Sequence, residues 1–257
     1  MLYWDYGPNP DDTDSKLFNE KNYNFVVCPG TASWSRFLED VDNAEQNISR
    51  ISAIAKKYGA LGLLNTNWGD EGTVCPFNCT RYTIALGAER SWTACGELPT
   101  KDFEMTASKL LYDSDDVNII DFIRTACTTE TATMWGYVTY WYNDLITGRK
   151  PSPVCDIDGL KRMEKLLADI KALNRSDDPR YSDLILSVRA IVLNKKIALY
   201  LAGNEDYSDL KALTAEKDAW LKEFRENWLK DNKSGELFLI EEVYNKILTF
   251  GQPGRQE

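Results

Sequence analysis

The sequence predicts an α/β chain: parallel strand–helix units come first, and a bundle of helices follows. Three observations carry this expectation. Short apolar runs alternate with loops and one helix from residue 1 to about 72. From about residue 80 the apolar residues recur at three and four almost throughout, the period of helices with one buried face. The chain has 257 residues, 43% of them apolar and 27% charged, which supplies one large or two small cores and excludes wholesale disorder.

Met1–Tyr6 reads as a strand stopped by Gly7-Pro-Asn-Pro10, and Asn24–Cys28 as a second one stopped by Pro29-Gly30. Glu39–Tyr58 reads as a helix with Val41, Ala44, Ile48, Ile51 and Ile54-Ala55 on one face and Gly59 as its C-cap. Ala60–Asn65 reads as a third strand, apolar on both faces, as burial between two layers requires. Helices are expected over Arg81–Trp92, Lys101–Tyr112, Val117–Thr128, Ala132–Ile146, Gly159–Asn174, Tyr181–Leu201, Asp206–Asp231 and Leu237–Phe250. The breaks at 96–99, 148–153, 176–179 and 203–204 each contain Gly or Pro. The aromatic-rich stretch Met134–Tyr142 reads as bundle core, or as the face packed on the strand layer.

Charge and residue usage narrow the chemistry. A net charge of −10 with no basic patch argues against nucleic acid and anionic membrane surfaces as partners. The chain has no histidine, so it cannot supply a Ser-His-Asp or Cys-His set or a histidine metal ligand. Six cysteines, only Cys75 and Cys79 closely spaced, read as reduced buried thiols, with neither a metal site nor a cofactor expected. Asn47, Asn78, Asn174 and Asn232 open glycosylation sequons, which four chance matches in a polar chain would also give. No apolar run is long enough to span a bilayer, and no signal-peptide pattern opens the chain, so a soluble protein is expected. The first residues already read as strand, and three parallel strands would leave two unpaired edges. This predicts a piece of a longer protein, or strands completed by a partner.

The tryptophans point to a function. Trp4 ends the first strand, Trp34 follows the second and Trp68 follows the third, each at the same relative place. In parallel strand–helix units such places converge on one mouth, and a wall of indoles suits the apolar faces of a sugar ring. Asp5 stands beside Trp4, and Asp70-Glu71 beside Trp68, where carboxylates can accept hydrogen bonds from sugar hydroxyls. The same residues also read as strand-end core aromatics and loop-capping acids.

Phe25-Val-Val-Cys-Pro-Gly-Thr-Ala-Ser-Trp34, Asp42-Asn-Ala44 and Gly59-Ala-Leu-Gly-Leu-Leu-Asn-Thr-Asn-Trp-Gly-Asp-Glu-Gly72 resemble the last barrel strands of bacterial glycoside hydrolase family 20, the β-N-acetylhexosaminidases. A subgroup of that family reads F-x-V-C-P-G-T-S-S-W, D-N-A and G-A-x-G-x-L-N-T-D-W-G-D-x-G-H. Leu2-Tyr-Trp-Asp-Tyr6 resembles the preceding strand, and Glu226–Leu237 resembles the subgroup's W-L-x-R-N-(R/K)-x-G-x-L segment in the helices after the barrel. The resemblance implies an α/β fold in which a partial (β/α)8 TIM barrel, its last three strands, occupies residues 1–95. A mainly α-helical C-terminal bundle would occupy 96–257.

It also implies removal of terminal N-acetylhexosamine by substrate assistance, in which the acetamido oxygen is the nucleophile and an Asp-Glu pair serves it. That pair belongs to the family's fourth strand and has no counterpart here, so this chain by itself is expected to be inactive. Trp68 matches the family's pocket tryptophan, Asp70 stands where its sugar-binding glutamate does, and Trp4 matches an aromatic wall residue. Trp34 lies near a tyrosine position of the family, Thr73 replaces the subgroup's histidine, and Asn67 replaces its first aspartate. The implied substrate-binding set is Trp4, Trp34, Trp68 and Asp70. The implied partners are an N-acetylhexosamine-containing glycan together with the missing barrel portion or a second copy of the chain. A non-catalytic carbohydrate-binding or helical scaffolding protein is the alternative.

Overall fold

A computed structural model describes residues 1–70, 72–94, 96–127 and 135–250. They form two units that alternate along the sequence. The first comprises 1–34, 39–68 and 77–127, and the second 35–38, 69–76 and the residues beyond 127.

In the first unit, β1 (Leu2–Trp4) and β2 (Val26–Cys28) pair in parallel, Leu2 opposite Val26 and Trp4 opposite Cys28. The connection between them contains α1 (Thr13–Glu20), too short and too polar to show a helical stripe in sequence. α2 (Val41–Tyr58) begins at Asp40, whose carboxylate accepts the Asn43 N–H at 3.2 Å, and ends at Gly59 in the left-handed region at φ 69°. Of its expected apolar face, Val41, Ala44, Ile48 and Ile51 are buried, and Ile54 and Ala55 are partly so. Ile51 packs with Tyr3, Phe25 and Val27, while Ala44 and Ile48 pack with Ala32 and Leu86. A 3-10 turn (Phe77–Thr80) leads into α3 (Arg81–Thr93), followed by α4 (Lys101–Tyr112) and α5 (Ile119–Cys127).

The partial (β/α)8 barrel is not what forms. Among the described residues there are two three-residue strands and ten α-helices, so the fold is mainly helical. The expected third strand is reduced to two isolated parallel bridges, Val27 with Leu63 and Gly30 with Thr66. The reason is legible in the hydrogen bonds. Val27 N–H donates to Gly62 O, Leu64 N–H to Val27 O, Thr66 N–H to Pro29 O and Thr31 N–H to Thr66 O. A regular parallel ladder also needs a bond from residue 29 to Leu64 O, and Pro29 has no N–H to give. The segment is not buried on both faces either: Leu61 and Leu64 are 70% and 51% exposed. Continuous hydrophobicity here does not mark a sandwiched strand.

The second unit contains α6 (Trp135–Ile146), α7 (Ile157–Ala172), α8 (Pro179–Leu201), α9 (Leu210–Asp231) and α10 (Leu237–Phe250). α8 is buried along most of its length and packs on α7 and α9, which is why it lacks a polar face. Trp135 stacks on Tyr244 at 5.5 Å, and Trp220 lies 4.9 Å from Phe224 and 4.8 Å from Tyr244. The polar tips are satisfied inside: Trp220 Nε1 donates to Leu186 O at 3.0 Å and the Tyr244 hydroxyl to Asn194 Oδ1 at 2.8 Å. Trp135, Val138 and Trp141 are core, whereas Tyr137 and Tyr140 are exposed. Met134 lies outside the described residues. Among the described residues no helix is long and apolar enough to cross a membrane.

Candidate functional site

The ends of the parallel segments bring three tryptophans and one tyrosine together in the first unit. Trp4 and Trp68 stack with ring centroids 5.7 Å apart and planes at 26°. Both stay open to solvent, at 45% and 40% exposure. Trp68 Nε1 donates to the Tyr6 hydroxyl at 2.8 Å, and the Tyr6 ring lies 5.1 Å from the Trp34 ring. Trp34 is half-buried and rests on the cluster of Ala32, Ala44, Ile48 and Leu86, so it is anchored in the core while it supports Tyr6. The indole bond occupies a lone pair of the Tyr6 oxygen, which leaves the phenolic proton to donate outward.

Gly30 makes this grouping possible. A Cβ there would lie 2.9 Å from both the Trp34 and Tyr6 rings. Gly30→Ala is therefore expected to displace that pair, costing about 1 to 3 kcal/mol of stability by overpacking, read from urea unfolding together with a changed near-UV circular dichroism. An unchanged near-UV spectrum would show that the rings do not rest on this glycine.

The acids behave differently from the aromatics. Asp5 caps its own loop, its carboxylate accepting the Gly7 N–H at 2.8 Å, the Asp11 N–H at 3.1 Å and the Tyr3 hydroxyl at 3.3 Å. It serves the turn after β1 rather than a ligand. Asp70 is exposed and belongs to the second unit. Glu71 lies outside the described residues, as does Cys95. Of the predicted set, the structure brings Trp4, Trp34 and Trp68 together around Tyr6.

A polar cradle adjoins Trp68 in sequence. Asn67 Oδ1 accepts from Thr31 Oγ1 at 3.0 Å and from Ser33 Oγ at 2.5 Å, which fixes the amide so that Nδ2 turns to Thr80 Oγ1 at 3.4 Å. Glu39, just before α2, has no exposed surface. One of its oxygens accepts the Thr83 hydroxyl, and among the described residues the other has no hydrogen-bond partner. Burial pushes its carboxyl up to about 8, the Thr83 hydrogen bond opposing the rise and nearby Glu45 adding to it. At neutral pH Glu39 is therefore the uncharged acid. Sequence reasoning missed both Tyr6 and Glu39. Tyr6 stood in the quoted first-strand segment, while nothing local marks Glu39 as buried.

Cys28, Cys75, Cys79 and Cys127 are buried, and Cys155 is exposed, against the expectation that all were buried. Among the described residues no three Cys, Asp or Glu side chains gather as metal ligands. Asn47 and Asn78 of the sequons are buried. No family model and no curated protein matches this chain.

Proposed function

We propose that the chain binds carbohydrate through its first unit, taking an N-acetylhexosamine-containing glycan on the Trp4–Trp68 pair, in the manner of the family 20 glycosidases whose motifs it resembles. The observation that carries this reading is the pair itself. Two indoles from distant parts of the sequence stack and remain open to solvent, and one of them, Trp68, is held in orientation by the Tyr6 hydroxyl. An apolar surface this fixed and this exposed suits the C–H face of a pyranose, with the Tyr6 proton available to a ligand oxygen. Covering about 100 Å² of apolar surface contributes about 2.5 kcal/mol, so with a few hydrogen bonds a single sugar residue binds near 1 mM. Hydrolysis is not proposed for this chain alone, since the Asp-Glu pair that the family uses has no counterpart in the matching segments.

Titration with N-acetylglucosamine, followed by tryptophan fluorescence and calorimetry, tests the reading. A saturable response is expected, weakened at least tenfold in Trp68→Ala and in Trp4→Ala, both of which leave the helical spectrum intact. No response up to 50-fold above about 1 mM, or equal affinity in the variants, would remove this function and favour the scaffolding alternative.

A further inference from the structure

One face of α2 carries a row of polar side chains whose donors reach the loop after β1. Asn43 Nδ2 donates to Tyr6 O at 3.1 Å. Asn47, one turn later and without exposed surface, donates from Nδ2 to Asp5 O and to Gly7 O, each at 2.8 Å. Arg50, at the next turn, bonds Pro8 O and Asn9 Oδ1. Four successive carbonyls, from Asp5 to Pro8, are thus held by one helix at the i, i+4, i+7 spacing that places side chains on a common face. Asn47 reaches further, because its Oδ1 also accepts the Gly30 N–H at 3.1 Å, on the residue beneath the Tyr6 and Trp34 rings.

Packing alone does not explain an asparagine here. It is a poor helix former, and a buried carboxamide is tolerated only when its hydrogen bonds are met. An apolar residue would fill the same volume more favourably if α2 had only to cover the strands. Among the described residues the loop after β1 has no ladder partners of its own, so its conformation is set by what grips it. It carries Tyr6 between Trp68 and Trp34.

We infer that Asn47, supported by Asn43 and Arg50, is the positioning residue of the aromatic site, locking the Trp4–Tyr6 loop and the Gly30 turn in the register that holds the indoles together. The inference rests on the carbohydrate reading for its meaning in binding, but its geometric part stands apart from any sugar.

The test uses the whole chain without ligand first. Stacked indoles give a coupled circular dichroism signal, assigned to Trp4–Trp68 by its loss in Trp4→Phe and Trp68→Phe. Asn47→Leu is expected to keep the helical spectrum and lose this signal, and Asn43→Ala to reduce it about twofold. Affinity for N-acetylglucosamine should fall at least tenfold and about threefold respectively. Should Asn47→Leu not fold, Asn43→Ala and Arg50→Ala decide. A folded variant with unchanged indole coupling overturns the inference. Loss of coupling in a protein that never bound the sugar supports the positioning role while removing the carbohydrate reading.

Discussion

Arg124→Ala is expected to lower the stability of the first unit by about 3 to 5 kcal/mol, the range for breaking a buried ion pair from one side. Arg124 Nε donates to Asp42 at 2.6 Å, and its Nη2 lies 2.9 Å from both Glu45 and Glu104. Glu45 and Glu104 are themselves buried, so alanine leaves Glu45 without its cation and Glu104 with Lys101 alone. Burial already raises Glu45, with Tyr82 and Arg124 pulling it down. Burial raises Glu104 as well, but hydrogen bonds from Asn118, Arg124 and Lys101 outweigh it, so that carboxyl sits below its ordinary value. Removing Arg124 takes away its share of the pull on both, and the loss should shrink as the pH falls and they protonate. Urea unfolding at pH 7 and at pH 5 reads this. A loss under about 1 kcal/mol at pH 7, the value of an exposed pair, would show that the charges are not held as described.

The second large effect is a pH dependence set by Glu39. Its carboxyl titrates near 8 in the folded chain, above the ordinary 4.5, chiefly because it is buried. The folded state therefore keeps a proton that the unfolded state releases. Stability is highest below about pH 4.5 with respect to this group, falls as the pH rises towards 8, and is level beyond. The slope approaches about 1.4 kcal/mol per pH unit within that window. Glu39→Gln keeps an oxygen for Thr83 and cannot ionise, so it should flatten the profile and gain about 1 to 3 kcal/mol at pH 8, after allowing for an unpaired amide proton. Unfolding curves of both proteins across pH 5 to 9 make the comparison. Parallel profiles would show that Glu39 is not the buried acid controlling the slope.

The helices were legible in the sequence because their signals are local. Gly59 closes α2 where a left-handed residue is needed, and α4, α8 and α10 begin or end within two residues of the positions that periodicity and Pro or Gly breaks suggest. The barrel was not there because strand identity depends on neighbours. Leu61 and Leu64 look like sandwiched strand residues, yet each is open on one side, and the ladder beside them loses a bond at Pro29. The meeting of Trp4, Trp34 and Trp68 was visible in their repeated place after each parallel segment. The grip of Asn43 and Asn47 on that loop was not, since a polar residue on a helix reads as solvated until its partners, some forty residues away, are known. Asp5 shows the converse, a charge beside an indole that closes its own turn.

The rung that Pro29 withholds divides the pairing of β2 with the segment around Leu63 into two short halves. One half is welded to the Tyr3, Phe25, Val27 and Ile51 cluster, and the other leads through Thr31 and Thr66 towards the indoles. A proline placed there acts as a perforation: no hydrogen bond through its nitrogen joins the two halves, so the half beyond it depends on other grips, among them Asn47, whose Oδ1 accepts the Gly30 N–H.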